Sequence, residues 1–271
     1  MISDKFATAN AYLTFFTCHL SLITCHLLLF FVTLHQIRDM SNTYFEFKRF
    51  TVHQERCAMK VGTDGCLLGA WALTPPAESC SPHILDVGTG TGLIALMMAQ
   101  RYPEARVTAV EIDAEAAGQA QENVLQSPFA SRIEVIQADF KDMQGVFSSI
   151  VSNPPYFINA LDCPDPQRSL ARHNTSLTYD TLMQHAAQLL AAEGEVSVIV
   201  PFDHKANMEA AAALAGLVPS RTCLVKTTER KAPRRCLMAF RKAVNCDVEY
   251  TELVIGSNEY RALMYDFYLK M

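Results

Sequence analysis

The chain has 271 residues, of which 50% are hydrophobic and 19% charged, and its formal net charge is −5. This length allows one large domain or two small ones, and the composition is typical of a globular protein with a sizeable core. The negative balance excludes nucleic-acid binding through bulk electrostatics alone, so such a partner requires a local basic patch. The nine cysteines include no CxxC pair, which favours reduced, mostly buried thiols in a cytoplasmic protein over disulfides or a zinc site.

The first 39 residues differ in composition from the rest of the chain. Residues Ala11 to Leu34 contain no Lys, Arg, Asp or Glu, and about 20 apolar residues suffice to cross a bilayer as a helix. A membrane anchor is therefore one interpretation, whereas a signal peptide fits less well because no small-residue cleavage site follows. The tetrapeptide TCHL occurs twice within this stretch, and MSNTYFEFKRF from Met40 is typical of a protein start. We favour a third interpretation, in which residues 1–39 are translated upstream sequence and the working protein begins at Met40.

From Met40 onward, strand patterns alternate with helix patterns. Strands are predicted at residues 83–88, 105–113, 132–139, 147–153 and 195–201 and near Thr222 and Leu237, and helices at 91–102, 114–126, 179–190, 206–215 and 259–271. This alternation indicates an α/β fold with a Rossmann-like, doubly wound and mostly parallel sheet. We predict seven strands with an antiparallel C-terminal hairpin. No linker or repeat divides residues 40–271, so they are predicted to form one domain.

The first predicted strand runs into the glycine-rich sequence DVGTGTG, which contains Asp86, Gly88 and Gly90. Glycines at the carboxyl end of a parallel strand let the backbone approach a ligand and turn tightly into the next helix. The spacing is Gly-x-Gly-x-Gly, which differs from the Gly-x-Gly-x-x-Gly of the nicotinamide fingerprint. We therefore expect a ligand site at this turn.

The next two strands end in acidic residues. Glu111 can accept hydrogen bonds from both hydroxyls of a ribose. Asp139 and Phe140 follow the third strand, where they could take the amino group of an adenine and cover its ring. Each carboxylate alone is typical of a solvated strand end, but the three strand ends in order predict a pocket for an adenosine-bearing cofactor.

The fourth predicted strand ends in Asn153-Pro154-Pro155-Tyr156. Two consecutive prolines cannot continue a strand or a helix, so the chain must form a stiff, extended corner. Together with DVGTGTG upstream, this arrangement resembles the class I S-adenosylmethionine-dependent methyltransferases, and NPPY resembles their amino-methylating branch. The resemblance covers nearly all of Met40 to Met271.

This resemblance implies S-adenosylmethionine as cofactor and catalytic roles for Asn153, Pro154 and Tyr156. The side-chain carbonyl of Asn153 and the main-chain carbonyl of Pro154 would accept hydrogen bonds from the target amino group. Tyr156, with Phe157, would stack on a planar substrate, a contact that contributes about 1–3 kcal/mol per base. Methyl transfer is an in-line displacement in which positioning supplies much of the rate.

Two further stretches narrow the substrate. FKRFTVHQERCAMKVGTDGCLLGAWA (residues 47–72) and QRSLARHN (residues 167–174) resemble the bacterial tRNA adenine-N6 methyltransferases that modify adenosine 37 of valine tRNA. The resemblance implies that Thr63 and Asp64 are cofactor-pocket residues and that Gln54 faces the same pocket. Asp64 has an alternative role as the cap of the following helix.

A basic segment offers a surface for RNA. Between Arg221 and Lys242 there are eight Lys or Arg residues and one Glu, and TERKAPRR (residues 228–235) is predicted as the tip of a hairpin. Phosphate contacts from such groups would give salt-sensitive binding. The predicted substrate-binding residues are Arg230, Lys231, Arg234 and Arg235 at the tip. Near the opening of the same predicted pocket, they also include Arg168, Arg172 and His173. A solvated charged hairpin is the alternative.

Other functions remain open at this point. Asn-Pro-Pro-Tyr also serves methyltransferases of guanine N2 in ribosomal RNA and of glutamine in release factors, although the latter usually carry an N-terminal helical domain. A DNA methyltransferase usually needs extra mass to read its site, and a non-catalytic nucleic-acid-binding module is a further alternative. We expect a cytoplasmic enzyme with tRNA as its partner, no metal and no obligate protein partner. Membrane contact is expected only if residues 1–39 belong to the protein.

Overall fold

The computed structural model describes residues 42–57, 59–73, 81–155, 177–242 and 247–270. Residues Tyr44–Met271 form one compact unit. The predicted N-terminal extension lies outside the described residues. In the described part of the chain, no helix is long and apolar enough to cross a membrane.

The helices and strands follow the predicted alternation. The strands are β1 (Tyr44–Glu46), β2 (Thr51–His53), β3 (His83–Val87), β4 (Arg106–Glu111), β5 (Ile133–Gln137), β6 (Phe147–Ser152), β7 (Leu190–Pro201), β8 (Leu217–Lys226), β9 (Arg235–Lys242) and β10 (Glu249–Val254). The helices are α1 (Thr63–Trp71), α2 (Leu93–Arg101), α3 (Ala114–Leu125), α4 (Tyr179–Leu189), α5 (Lys205–Leu214) and α6 (Asn258–Met264).

The main sheet has eight strands in the order β10-β8-β9-β7-β6-β3-β4-β5. Neighbouring strands are parallel except where β9 pairs with β7 and with β8. The predicted Rossmann-like class, the mostly parallel sheet and the antiparallel C-terminal hairpin are confirmed. The eighth strand, β10, pairs in parallel with β8 at the edge of the sheet. The sequence did not indicate it because only one of its six residues, Leu253, is buried.

Two hydrophobic clusters lie on opposite faces of the sheet. Ile84 and Leu237 belong to one cluster and their neighbours Leu85 and Met238 to the other, because successive side chains of a strand point to opposite faces. Helices α1 and α2 contribute to the first cluster, and α4 and α5 to the second. Burial on both faces explains why these strands read as apolar runs in the sequence.

A buried ion-pair network joins β7, β8 and β9. The fully buried carboxylate of Glu195 accepts hydrogen bonds from Arg221 Nη2 at 2.6 Å and from Arg241 Nη2 at 3.1 Å. The guanidinium of Arg221 also lies over the ring of Trp71, 3.9 Å from its centroid. Two of the arginines that make this segment basic therefore neutralise an interior charge.

Candidate active site

The register of the central strands brings the predicted site residues to one edge of the sheet. Val87 lies opposite Ser152 of β6 and Val110 of β4, so the following residues, Gly88, Asn153 and Glu111, stand at the carboxyl ends of three neighbouring strands. Because Glu111 pairs with Gln137, Asp139 follows at the end of the fourth. With about 4.8 Å between neighbouring strands, this row spans about 14 Å, enough for an extended nucleoside-sized ligand.

The glycine-rich turn between β3 and α2 has a backbone that only glycine adopts readily. Gly88 and Gly90 have φ values of 68° and 55°, in the left-handed region that side chains disfavour. A Cβ atom at either position would find nothing within 4 Å. The constraint on these two residues is therefore conformational, and the space beside their backbone is open to a ligand.

Asp86 stabilises this turn through hydrogen bonds of its buried side chain. Its side chain is fully buried, and Oδ2 accepts hydrogen bonds from Thr89 Oγ1 at 2.6 Å and from the Ala95 N–H at 3.0 Å. Burial raises the pKa of Asp86 to about 7, although the Thr89 and Ala95 hydrogen bonds act in the opposite direction. The second oxygen, Oδ1, is buried without a hydrogen-bond partner among the described residues.

Glu111 is oriented by three backbone N–H groups. Oε2 accepts from the Gly90 N–H at 2.9 Å, and Oε1 accepts from the Ile112 and Asp113 N–H groups at 2.9 and 3.1 Å. Each carboxylate oxygen can accept more than one hydrogen bond, so the group can still receive ligand hydroxyls. The structure thus joins Glu111 to the glycine turn, as a pocket for a ribose requires.

Asp139 and Phe140 occupy different environments. Oδ1 of Asp139 accepts from the Lys141 N–H at 2.9 Å, and Oδ2 lies 3.0 Å from Lys141 Nζ. The ring of Phe140 is 5% exposed and packs edge-on against His185, with 4.9 Å between ring centroids. Asp139 stays at the strand end with part of its surface exposed, whereas the Phe140 ring is part of the hydrophobic core.

The corner after β6 begins where Ser152 Oγ donates to the carbonyl oxygen of Val87 at 2.9 Å. This bond ties the ends of β6 and β3 together immediately before Asn153. Asn153 is half-buried and Pro154 buried. The remaining predicted residues of the catalytic loop lie outside the described residues: Tyr156, Phe157, Arg168, Arg172 and His173.

One ion pair connects two predicted sites. Asp64, in the first turn of α1, accepts a hydrogen bond from Arg235 Nε at 2.7 Å, and Thr63 beside it is exposed. Arg235 opens β9 opposite Pro201, the last residue of β7. A residue predicted for the cofactor pocket and one predicted for RNA binding therefore meet at the same edge of the sheet.

The hairpin between β8 and β9 places basic groups at that edge. The pairing of Arg235 with Pro201 brings the hairpin tip, residues 227–234, to the carboxyl end of β7. Arg230, Lys231 and Arg234 are exposed there. Lys226, by contrast, pairs with Glu252 at 2.6 Å. The basic surface is thus narrower than the sequence count indicates. In the part of the chain that the structure describes, no group of three or more His, Cys, Asp or Glu residues is arranged to hold a metal ion.

Comparison with known proteins agrees with this geometry. Residues 70–229 match the family model of the methyltransferase small domain. A curated tRNA1(Val) (adenine(37)-N6)-methyltransferase from Bacteroides thetaiotaomicron is 48% identical over 240 residues, which cover 86% of this chain and 100% of the relative. A relative of the same name from Histophilus somni is 42% identical and covers 83% of this chain and 97% of its own length. The chain belongs to the tRNA1(Val) (adenine(37)-N6)-methyltransferase family.

The fold also has a counterpart among solved structures. A predicted O-methyltransferase from Agrobacterium tumefaciens superposes with a TM-score of 0.55 at 22% identity, covering 72% of this chain and 90% of that one. At this identity the likeness concerns the methyltransferase fold alone.

Two residues that the sequence analysis did not predict lie next to the candidate site. Ile112, next to Glu111, is 53% exposed, so an apolar side chain stands beside this carboxylate at the same edge of the sheet. An apolar residue directly after the acidic strand end was the available signal. Asn123 on α3 contacts the glycine turn through the Thr91 carbonyl oxygen at 2.8 Å. No local pattern marks it, because its partners are distant in sequence.

The raised pKa of Asp86 predicts a pH dependence of folding. Its folded value of about 7 lies above the ordinary value of 3.8, so between these values the folded state binds more protons than the unfolded state. The contribution of Asp86 to the free energy of unfolding should therefore fall as pH rises from about 4 to about 7. Urea unfolding of the wild type and Asp86→Asn across this range measures it. The difference between the two proteins should decline with pH and level off above about 7; a pH-independent difference would contradict the raised pKa.

Proposed function

We propose that this protein transfers a methyl group from S-adenosylmethionine to the exocyclic N6 of adenosine 37 in tRNA1(Val), the reaction named for its relatives. The observation that carries the proposal is the register of Val87 with Ser152, which puts Asn153 beside the glycine turn at one level of the sheet. S-adenosylmethionine, when bound, supplies an electrophilic methyl group on a sulfonium. The protein's contribution is to hold the nucleoside, the amino acid part and the target amine in line.

The described residues fit such a cofactor. The open space beside Gly88 and Gly90 admits the ligand to the backbone, and Asp86 holds the turn that forms this space through its hydrogen bond with Thr89. Glu111 is oriented to accept ribose hydroxyls. We assign the exposed Ile112 as the apolar cover of the adenine ring and Asp139 as the hydrogen-bond acceptor for the adenine amino group. The Phe140 backbone lies at the same strand end as Asp139.

Thr63 and Asp64 would form the opposite wall of this pocket. Asp64 is held there by Arg235, and Thr63 presents an exposed hydroxyl at the start of α1. This assignment keeps the carboxylate paired, so it adds no uncompensated negative charge beside the cofactor.

The target amine would be held by Asn153 and Pro154. Their carbonyl oxygens accept the two N–H groups of an adenine N6, which directs the nitrogen lone pair away from the base and toward the methyl group. These acceptors also stabilise the positive charge that develops on the nitrogen, and the excess proton then leaves to solvent. Tyr156 and Phe157 would stack on the base, with Arg168, Arg172 and His173 near the same loop.

The exposed Arg230, Lys231 and Arg234 would contact tRNA phosphates. An anticodon loop presents unpaired bases that can be splayed out into a pocket at lower cost than a duplex base. A tRNA substrate also supports the proposed cytoplasmic location.

The deciding experiment is methyl transfer from labelled S-adenosylmethionine to tRNA1(Val). We expect label in the wild-type transcript and none in a transcript with guanosine at position 37. Ribosomal RNA and a release factor are assayed in parallel, since label in either of these instead of tRNA would favour the alternative methyltransferases. Absence of both transfer and cofactor binding would favour a non-catalytic module.

Asn153→Ala provides the matched control for that experiment. It should lower turnover by at least about 100-fold, the size of effect seen when one stabilising hydrogen-bonding group is removed from an active site. Cofactor affinity measured by calorimetry should stay close to the wild-type value, because Asn153 faces the target amine. A large loss of cofactor affinity would mean that Asn153 has another role.

The hairpin tip predicts the salt dependence of tRNA binding. Single substitutions Arg230→Gln, Lys231→Gln and Arg234→Gln should each weaken binding and lower the log–log salt slope by about 1 if each residue contacts one phosphate. Arg106→Gln is the control, because this exposed arginine opens β4 at the opposite edge of the sheet. Equal effects at Arg106 and at the tip would indicate nonspecific attraction. Filter binding across a salt series measures the slopes.

We further propose that Met40–Met271 is the working methyltransferase domain and that residues 1–39 are translated upstream sequence. The support is that 86% of the chain accounts for 100% of the Bacteroides relative. Intact-mass measurement of the protein from its native host should give a chain that starts at or next to Met40. Detection of peptides from residues 1–39 would overturn this proposal and would revive the membrane anchor.

A further inference from the structure

A buried asparagine connects the glycine-rich turn to the N-terminal segment of the domain. Asn123 on α3 is 1% exposed. Its Oδ1 accepts from the His53 N–H at 2.9 Å, and its Nδ2 donates to the carbonyl oxygens of His53 and Thr91, each at 2.8 Å. One side chain therefore closes a pair of backbone hydrogen bonds with His53 and a third with the turn that precedes α2.

The chemistry of these three bonds requires an amide of this length. One acceptor and two donors are needed on a planar group, which the carboxylate of an Asp and the side chain of a Leu cannot supply. Leaving a buried polar group without a partner is unfavourable, and removing Asn123 would take the partner from the His53 N–H and from the two carbonyl oxygens. The Asn123 amide therefore uses Oδ1 as an acceptor and both N–H groups of Nδ2 as donors.

The connection continues from His53 to the wall of the cofactor pocket. Gln54 follows His53 and is buried, and its Oε1 accepts from the Val61 N–H at 2.7 Å. Two residues after Val61, Thr63 begins α1. Hydrogen bonds thus link Thr91 to Asn123 and Asn123 to His53. The chain continues from His53 to Gln54, whose side chain bonds to Val61 just before Thr63.

We propose that Asn123 is a positioning residue that couples the glycine-rich turn to the segment His53–Thr63, so that ligand binding at the turn orders the opposite wall of the pocket. The inference rests on the proposed function in that it takes the turn as the cofactor site. The turn itself is supported independently by Asp86, Glu111 and Val110: the Gly88 N–H donates to the Val110 carbonyl oxygen at 2.9 Å. Loss of Asn123 should therefore disconnect the two walls without dismantling the turn.

The neighbouring residue on α3 provides a matched control. Glu122 forms an ion pair with Arg56 of the same N-terminal segment, and its side chain is 54% exposed. This pair holds the segment to α3 but makes no contact with the glycine-rich turn. Glu122→Gln therefore weakens the same interface while leaving the proposed path intact.

The test compares wild type, Asn123→Ala and Glu122→Gln by calorimetry with S-adenosylhomocysteine and by hydrogen exchange with and without it. In the wild type, the ligand should slow exchange both at residues 88–92 and at residues 53–62. In Asn123→Ala the protection at 88–92 should remain, the protection at 53–62 should be lost, and the dissociation constant should rise about tenfold, equivalent to about 1.4 kcal/mol. Glu122→Gln should behave as the wild type in both regions.

A residue with only a structural role would change stability without changing which amides the ligand protects. Asn123→Ala with wild-type protection at 53–62, or an equal loss in Glu122→Gln, would overturn the inference while leaving the proposed function standing. A wild type that does not bind S-adenosylhomocysteine would overturn the proposed function and the inference with it.

A second variant covers the case in which Asn123→Ala does not fold. Gln54→Met retains all three hydrogen bonds of Asn123 and removes the bond to Val61. Ligand protection should then persist at His53 and disappear at residues 59–62. Unchanged protection at 59–62 in this variant would overturn the proposed path.

Discussion

The candidate site depends on four parallel strands that end at the same level. Buried residues on both faces of β6, β3 and β4 fix their register, because a slip of one residue would turn a strand's core side chains to the wrong face. Such a slip would also move Asn153 by about 3.3 Å relative to Gly88, more than the tolerance of a positioned methyl transfer. The hydrophobic core therefore sets the distance between Asn153 and the glycine-rich turn at Gly88.

The polar groups of the site serve the fold and the ligand at once. Asp86 and Glu111 each accept hydrogen bonds from the glycine-rich turn or from the helix that follows it, so these two carboxylates hold the turn in its open shape. Because these contacts already exist in the protein alone, the turn itself requires little reorganisation on binding. Asp86 serves the turn although its burial raises the pKa of the carboxyl group to about 7.

Ion pairing, more than the number of basic residues, decides which positive charges of the basic segment face solvent. Arg221 and Arg241 neutralise the buried Glu195, and Arg235 is paired with Asp64. Arg230, Lys231 and Arg234 of the hairpin tip stay exposed and can face an anionic partner, although the chain has a net charge of −5. A local cluster at the ligand edge suits a tRNA loop, since only the phosphates near the target base have to be matched.

The sequence by itself determined the fold class, the glycine-rich turn and the order of the acidic strand ends, because each rests on a pattern within a few residues. The same holds for the corner at Asn153, where two prolines force the chain to turn. Tertiary structure alone decided which charges pair, that Phe140 packs in the core, and that β10 adds an eighth strand. It also joined Asn123 to His53 and Asp64 to Arg235, which are separated by 70 and 171 residues. Such partners meet only when the sheet assembles, and no local preference of the chain encodes a contact between segments so far apart.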